Sequence, residues 1–373
     1  MFILKLNPAS TGASDFRERI RILRPLVHNR RRKAGDFEGM IAKKALTDLV
    51  KELKPVLNQY NLCSKYGQLS FFEVYTALAF LYFKRKQVDF AVLETGMGGR
   101  LDATNVADSL VCGITPLSFE HVQKLGNTLA EIATEKAGII KNKGAVVISA
   151  LQAPAVRRII HNRCSKFQAR LYEVSRQIKY SRSREGLAIK GLKDDYENLH
   201  LNLPGGHQAA NAALAVGLVE GLSFYGINVA AAAIRQGLKN TVWPGRCEVV
   251  GKNPLVVLDG AQNSASAQVL RRAIEDNFKY KKLILILGIS SDKDIPGICK
   301  KLDSLADEII LTRAATPRAA DPAKLAGYFK RKLHLTSSVK EAKLLAGNLA
   351  GKKDLILVTG SLFAVGEFRD VKR

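Results

Sequence analysis

A run of four consecutive apolar residues, 90–93, leads directly into the segment ETGMGGRLDATN, which begins at Glu94. An uninterrupted apolar run of this kind predicts a strand that is buried on both faces, as in the parallel sheets of α/β proteins. Gly96, Gly98 and Gly99 follow Glu94 closely. Ligands bind at the carboxyl ends of strands in open α/β sheets, and glycines let a ligand approach the backbone. The segment therefore predicts a ligand site, although a glycine-rich turn with an exposed glutamate would show the same pattern.

Length and composition favour a globular protein of two domains. A chain of 373 residues with 47% hydrophobic residues can bury a large core. No apolar run approaches the ~20 residues that a membrane-spanning helix needs, and the opening MFILKL is too short for the core of a signal peptide. The five cysteines are scattered without metal-ligand spacing, which is typical of reduced thiols. We therefore expect a cytoplasmic monomer that does not contact membranes.

The formal net charge of +24 raises the question of an anionic partner. A nucleic acid is one alternative, because basic patches bind phosphate backbones. However, Lys and Arg are spread along the chain, and no aromatic-interleaved basic face stands out. A solvated surface that attracts anionic small substrates is the interpretation that the pattern favours, and we expect no nucleic-acid partner.

The C-terminal third alternates apolar runs with helical patterns. Strands are predicted at 255–258, 283–287, 308–311 and 354–358, with helices at 265–278, 295–305, 322–333 and 339–348. This alternation predicts a parallel sheet with helices on both faces. Near the other end of the chain, a helix is predicted over 39–54, and Pro55 is expected to end or kink it.

The segment from Glu94 resembles the E-x-G-x-G-G-R-L-D-A-T-N signature of the folylpolyglutamate synthase/dihydrofolate synthase family, a branch of the Mur ligase superfamily. At least eight motifs resemble that family, in its order, between Asp15 and Gly366. The resemblance implies a Mur-ligase-like α/β fold. A P-loop-type central domain, incomplete at its N-terminus, would cover residues 1–244, and a Rossmann-like C-terminal domain would cover 245–373, with the boundary at the string WPGR.

The resemblance also implies a reaction and a metal centre. Family members use ATP and Mg2+, in some cases with a monovalent cation, to join glutamate to dihydropteroate or a reduced folate through an acyl phosphate. Glu94 and His121, in the string TPLSFEHVQKLGNTL, would bind the magnesium ion. Ser10, eight residues before Glu18 in a string that resembles F-x-E-R-I-R-I, would be a further ligand. Lys136, in IATEKAGII, matches a lysine that the family carbamylates, and is implied to be catalytic with Glu94 and His121.

Two further sets of residues follow from the resemblance. Asn211, in LPGGHQAANA, Arg246, in WPGR, and Asp259, in DGAQN, would contact the nucleotide. Gln262 and Ser361 would contact the incoming glutamate. The family has a histidine where this chain has Gln262, and glutamine can form hydrogen bonds but cannot carry a positive charge. The choice of amino acid is therefore open.

The pterin or folate set lies on two segments. Four residues open an apolar helix, where aromatic side chains could equally be core: Ser70, Phe71, Phe72 and Glu73. Three more lie within the signature: Leu101, Asp102 and Ala103. By resemblance, both segments contact the pterin.

One family element is missing from the sequence. Family members carry a P-loop of the form G-T-N-G-K-G-S/T, and no G-x-x-x-x-G-K-[ST] string occurs among the 373 residues. We expect a truncated gene or a misplaced start. Two alternatives stay open: an inactive or binding-only paralogue or fragment, and another Mur-type amino-acid ligase.

Overall fold

The computed structural model describes the backbone of residues 3–4 and the residues 41–183 and 186–370. The predicted metal ligand Ser10 and the string that begins at Asp15 lie outside this part of the chain.

Two helices open the continuous part of the structure, α1 (Lys43–Cys63) and α2 (Phe71–Lys86). Their apolar faces pack together, and Leu49 of α1 is 1% exposed. Of the two alternatives predicted for Pro55, the end of the helix is wrong, because α1 continues through it to Cys63. A proline inside a helix removes one backbone donor, and the turns of α1 before Pro55 pack against α2.

The apolar run 90–93 forms a shorter and more exposed strand than predicted. Only β2 (Val92–Leu93) is strand, and it pairs in parallel with β1 (Ile3–Leu4). Leu93 packs against the α1–α2 core, whereas Val92 is 44% exposed. The prediction of burial on both faces is therefore wrong. The described structure covers the strand on the side of α2, and the other face remains accessible.

A three-stranded parallel sheet follows, with the order β3 (Val111–Ile114), β4 (Val146–Ser149) and β5 (Arg170–Glu173). Alternate residues of β4 enter different cores, Val147 on one face and Ile148 on the other. The helices of this region are α3 (Val122–Leu125), α4 (Leu129–Ala137), α5 (Pro154–Lys166) and α6 (Gly206–Glu220). Helices α4 and α5 share one core and α6 lies in the other, so the sheet is covered on both faces.

A small antiparallel sheet and one helix complete this half of the molecule: β6 (Lys179–Ser183), β7 (Gly186–Lys190), β8 (Asp195–Leu199) and α7 (Ala231–Lys239). The buried carboxylate of Glu220 holds the β7–β8 turn. It accepts hydrogen bonds from the backbone of Leu192 and Asp194 and from the hydroxyl of Tyr196. These bonds compensate for the burial of its charge.

The C-terminal sheet has the order β13-β12-β11-β14-β10-β9, and all its strands are parallel except the edge strand β9. Its strands are β9 (Glu248–Lys252), β10 (Leu255–Leu258), β11 (Leu283–Leu287), β12 (Glu308–Leu311), β13 (Lys332–Leu335) and β14 (Leu355–Thr359). Its helices are α8 (Ser264–Asn277), α9 (Ile295–Leu302), α10 (Pro322–Ala326), α11 (Val339–Leu349) and α12 (Leu362–Asp370). The predicted α/β sheet with two covered faces is confirmed, since Leu285 and Ile286 enter opposite cores.

The helix predicted over 322–333 is wrong in its second half, because α10 ends at Ala326 and β13 begins at Lys332. Among the described residues, no helix combines the length and the apolar character that crossing a bilayer requires.

A buried carboxylate, Glu308, lies at the amino end of β12. It accepts a hydrogen bond from Lys282, contacts His334 Nε2 at 3.0 Å and lies 3.6 Å from Lys332 Nζ. The hydrogen bond from Lys282 is the main cause that holds the pKa of Glu308 below its usual range, although burial opposes it. The ionised carboxylate therefore stabilises this edge of the sheet.

We predict that Glu308→Gln lowers the free energy of unfolding at pH 7 by about 1–3 kcal/mol, because it removes a charge-assisted hydrogen bond. A carboxylate whose pKa is depressed by folding stabilises the protein above its unfolded pKa of about 4.3, and this stabilisation is lost as the pH falls through the folded value. Denaturant unfolding at pH 7 and in acid should therefore show a difference that shrinks in acid. Glu275→Gln, at an exposed ion pair with Arg271, is the control and should cost about 0.5 kcal/mol or less. A difference that does not change with pH would contradict this explanation.

Candidate functional site

The loop after β2 is shaped by one carboxylate. Asp102 Oδ2 accepts hydrogen bonds from the backbone N–H of Gly96 and of Met97, both at 2.9 Å. Its Oδ1 accepts from Thr104 N at 3.0 Å and from Thr104 Oγ1 at 2.6 Å. The residue is 9% exposed. Both oxygens are thus engaged by the loop itself, so Asp102 fixes the path of the backbone that carries Glu94.

This loop packs against two other elements. The ring of Phe72, at the start of α2, lies so close to Gly96 that a Cβ there would be 2.5–2.9 Å from its carbon atoms. Leu125 of α3 packs against Gly98. The absence of a side chain at Gly96 therefore brings the start of α2 onto the loop, and α3 follows His121 directly.

The third contact of the loop is with the end of α4. A Cβ at Gly99 would lie 2.7 Å from the carbonyl oxygen of Lys136 and 2.9 Å from that of Glu135. Arg100 N donates to the Glu135 carbonyl at 2.8 Å, and its guanidinium pairs with the Glu135 carboxylate at 3.0 Å. The glycine-rich loop and the helix turn that carries Lys136 are therefore a single packed unit.

His121 precedes α3 in a left-handed backbone conformation, with φ of 52°. Its side chain is 35% exposed, and Glu120 Oε1 lies 3.8 Å from its Nε2. Burial is the largest cause that lowers the pKa of His121, and the positive charges of Lys293, Lys136 and Lys124 add to it, while Glu120 opposes. The imidazole is therefore neutral at pH 7, which is the form that can bind a metal.

The other members of the predicted metal centre are placed as follows. Glu94 is exposed just after β2, and Lys136 is half-buried in the last turn of α4. Among the described residues, no three His, Cys, Asp or Glu side chains cluster closely enough to hold a metal ion by themselves. One carboxylate and one neutral imidazole fit a divalent cation that keeps several waters, as Mg2+ commonly does.

The predicted pterin residues divide into two groups by their contacts. Ser70 and Glu73 form a capping box at the start of α2, with Ser70 N donating to Glu73 Oε2 at 2.7 Å and Glu73 N donating to Ser70 Oγ at 3.3 Å. Phe71 is 58% exposed and stacks on Tyr75, and Leu101 is 79% exposed. The side chains of Ser70 and Glu73 thus cap the helix, whereas Phe71 and Leu101 expose apolar surface to solvent. Ala103 is half-buried in the 3-10 turn that follows.

Two of the predicted nucleotide residues, Arg246 and Asp259, lie together where β9 begins and β10 ends. Asp259 is 8% exposed, and it accepts hydrogen bonds from Cys247 N at 2.9 Å and Ala261 N at 2.8 Å. Burial raises the pKa of Asp259, and the nearby charge of Arg246 opposes that rise. The guanidinium of Arg246 lies beside Gly260, where a Cβ would be 3.0 Å from Nη1. Arg246 therefore lies directly over the loop that Asp259 holds.

The start of α6 lies near Arg246. Burial and then the charge of Arg246 lower the pKa of His207, so the imidazole lies near that guanidinium. The backbone at Gly205 approaches α8, because a Cβ there would be 3.2 Å from Ala273 Cβ. Asn211 is exposed and donates to Gln208 Oε1 at 3.0 Å. The structure thus brings Arg246 and Asp259 together, and Asn211 lies one helical turn beyond His207 on α6.

The predicted glutamate residues lie on two loops that touch. Gln262 is half-buried just before α8, and Ser361 is 5% exposed and accepts a hydrogen bond from Phe363 N at 3.1 Å. Gly360 N donates to Ala261 O at 3.1 Å, which joins the loop after β14 to the loop after β10. The side chain of Gln262 and the hydroxyl of Ser361 therefore belong to one edge of the C-terminal sheet.

Sequence reasoning assigned no role to two residues near these sites. His207 lies close to Arg246, and the charge of Lys293 acts on His121 from the loop after β11. Both occur in strings that resemble family motifs, GHQ and DKD, and their positions in those strings were the available signal.

Two family models match the chain. The Mur ligase middle domain matches residues 42–219, and the Mur ligase, glutamate ligase domain matches residues 245–362. The chain is also 32% identical over 338 residues to a protein of Bacillus subtilis named dihydrofolate synthase/folylpolyglutamate synthase. That match covers 88% of this chain and 78% of the relative.

Solved structures of folylpolyglutamate synthases are also similar to this chain. A Mycobacterium tuberculosis folylpolyglutamate synthase complexed with ADP and AMPPCP is similar with a TM-score of 0.82 and 30% identity, over 90% of this chain and 80% of that one. A Yersinia pestis bifunctional folylpolyglutamate synthase/dihydrofolate synthase complexed with AMPPNP and a Mn ion has a TM-score of 0.75 and 28% identity, over 88% and 76% of the two chains.

We predict that Gly99→Ala lowers the free energy of unfolding by about 1–3 kcal/mol, because the added methyl group meets two backbone carbonyls that cannot rotate away. Denaturant unfolding measures the change. Gly237→Ala in α7 is the matched control, since a Cβ there has no neighbour within 4 Å. It should stabilise the helix by about 0.5–1 kcal/mol. Equal effects of the two substitutions would contradict the close approach of the loop to α4.

Proposed function

Since this chain belongs to the Mur ligase family, in its folylpolyglutamate synthase/dihydrofolate synthase branch, and is thus an acid–amino-acid ligase, we propose that it joins L-glutamate to a pteroate or folate carboxylate. The observation that carries the proposal is the packing of the loop after Glu94 against the turn of Lys136, in a chain that matches both domains of the family. ATP is the proposed energy source, as the nucleotide complexes of the similar structures support.

The proposed reaction has two steps, phosphoryl transfer and amide formation. An oxygen of the substrate carboxylate attacks the γ-phosphorus of ATP, and ADP leaves with the electrons of the broken P–O bond. The amine nitrogen of glutamate then attacks the carbonyl carbon of the acyl phosphate, the amine loses a proton, and inorganic phosphate leaves. Holding the amine and the acyl phosphate together accounts for much of the acceleration that such a site can provide.

We assign the metal to Glu94 and His121. A divalent cation there would neutralise charge on the transferring phosphoryl group. The low pKa of His121 supports the assignment, because the imidazole is neutral when it must donate its lone pair. A monovalent cation beside this site is part of the proposal on the strength of the family resemblance alone.

Lys136 is the residue that we propose to be carbamylated. It is half-buried, and it makes no hydrogen bond or ion pair with any side chain in the described part of the chain. A half-buried ammonium group without a partner is costly. Addition of CO2 to its amine would give a carbamate with a negative charge, and a negative charge is favourable in a site that binds cations.

We assign the substrates to three surfaces. Arg246, over the loop that Asp259 holds, would contact the phosphates, because its fork of donors suits them, and Asn211 would contact the nucleotide. Gln262 and Ser361 would hold the glutamate. The exposed apolar surface of Phe71 and Leu101 would pack on the flat pterin. We propose small-molecule partners and a monomer.

Substrate binding without ligation, by an inactive or binding-only paralogue or fragment, is the second candidate function. The observation that favours the loss of ligation is the lack of a G-x-x-x-x-G-K-[ST] string in the 373 residues, since that backbone cradle and lysine hold the β- and γ-phosphates in P-loop proteins.

We predict glutamate-dependent release of ADP by this chain with dihydropteroate, with tetrahydrofolate, or with both. Lys136→Ala should lower kcat by about 100-fold or more. The substitution removes the negative charge of the proposed carbamate, which would position the metal cations around the transferring phosphoryl group. Lys136→Arg should be equally inactive, since a guanidinium does not form the carbamate. Lys143→Ala, at an exposed lysine in the loop after α4, is the control and should stay within about twofold. ATP binding without turnover would support the second candidate, and turnover that survives both Lys136 variants would refute the role of that residue.

A second prediction concerns the amino acid. Gln262→His should lower the KM for glutamate by about tenfold, because a protonated imidazole can form a charge-assisted hydrogen bond to a carboxylate. The gain should be larger at pH 6 than at pH 8, where the imidazole is neutral. Gln236→His, on the exposed face of α7, is the control and should leave the KM unchanged. An unchanged KM in Gln262→His would remove this residue from the glutamate site.

A further inference from the structure

A basic cavity of about 470 Å³ lies at the carboxyl ends of β4 and β5, outside the sites assigned above. Its walls come from the segment after β4, the first two turns of α5 and the end of β5. Four of its side chains are basic: Arg157, Arg158, His161 and Arg176. Its size is typical of small-molecule sites, which hold roughly 300–1,000 Å³.

One carboxylate faces these basic groups. Glu173 is 6% exposed, and Arg157 binds it through two hydrogen bonds of 2.7 and 2.8 Å. His161 Nε2 lies 3.4 Å and Arg176 Nε lies 3.6 Å from Glu173 Oε2. The bidentate bond from Arg157 is the main cause that keeps the pKa of Glu173 low. Glu173 and Arg157 thus neutralise one another.

Positive charge remains after this pairing. Arg158 is exposed and has no hydrogen bond or ion pair within the described residues, and the side chain of Arg176 is 55% exposed. The first turn of α5 carries no acidic residue, and Ala153 provides no side-chain cap for its N–H groups. Arg158 therefore has no anionic partner and Arg176 shares Glu173 with Arg157, so the cavity keeps an excess of positive charge beside the positive end of a helix dipole.

The cavity is joined to the loop that carries His121. Gln152 forms part of its wall, and its Nε2 donates to Thr115 O at 2.9 Å. Leu117 N donates to Gln152 Oε1 at 3.1 Å. Because β3 and β4 are neighbours in a parallel sheet, both the cavity and the His121 loop lie at the same edge.

We propose that this cavity is a second anion-binding site, which takes an oxyanion with at least two negative charges. Either inorganic phosphate or the neighbouring carboxylates of a γ-linked glutamate chain have the required chemistry. Guanidinium groups bind both through paired N–H donors. The second source rests on the proposed function, whereas the first does not.

The test is isothermal titration calorimetry on the full chain with inorganic phosphate and, separately, with tri-γ-glutamate. The double substitution Arg158→Ala and Arg176→Ala should weaken binding of at least one probe by about tenfold or more, since charge-assisted hydrogen bonds are lost. Arg157 is kept because it neutralises Glu173. Arg182→Ala, at an exposed arginine of β6, is the control and should change neither affinity by more than about twofold.

Loss of phosphate binding alone would identify the first source, and loss of glutamate-chain binding alone would identify the second. Affinities that the double substitution leaves unchanged, or a wild-type chain that binds neither probe, would overturn the proposal. Hydrogen exchange on the unsubstituted chain gives a test that needs no variant. A bound probe should slow exchange of the Ala155 and Val156 amides, and unchanged exchange would also overturn the proposal. Neither readout uses ligation, so the two proposals fail separately.

Discussion

The candidate site depends on one close contact, that of the Gly99 backbone with the last carbonyls of α4. Around it, Arg100 pairs with Glu135, and the Asn105 side chain donates to Gly138 O at 3.4 Å. These contacts fix the loop after β2 on the helix that carries Lys136. The residues of the two elements therefore keep a fixed position relative to one another. A side chain at position 99 would separate them, because protein interiors have little free volume to absorb it.

Sequence predicts the fully buried strands of this protein better than the partly exposed ones. The runs that form β11, β12 and β14 are buried throughout, and such runs are recognisable without any knowledge of neighbours. The edge strand β13 reads KLHL, with exposed ends, and the helix predicted over 322–333 extends into its first two residues. The run 90–93 has the same composition as a buried strand, yet Val92 is exposed, because burial depends on which elements cover the strand.

The sequence motifs predict candidate site residues but not their arrangement. They indicate carboxylates at strand ends without showing how those carboxylates are held. In the structure, Asp102 accepts backbone N–H groups of its own loop, and Asp259 accepts those of Ala261 and of Cys247 before β9. Such anchors compensate for buried charge locally. The basic cavity had no signal at all, since Arg157 and Arg176 become neighbours only through the pairing of β4 with β5.

The position of Lys293 has a consequence for domain motion. This lysine lies in the loop after β11 of the C-terminal sheet, yet its charge disfavours a proton on His121, which precedes α3 in the central region. Separation of the two sheets would withdraw that charge and let the imidazole take up a proton in competition with a metal ion. At the proposed metal site, the affinity of His121 for a cation would therefore depend on its distance from Lys293.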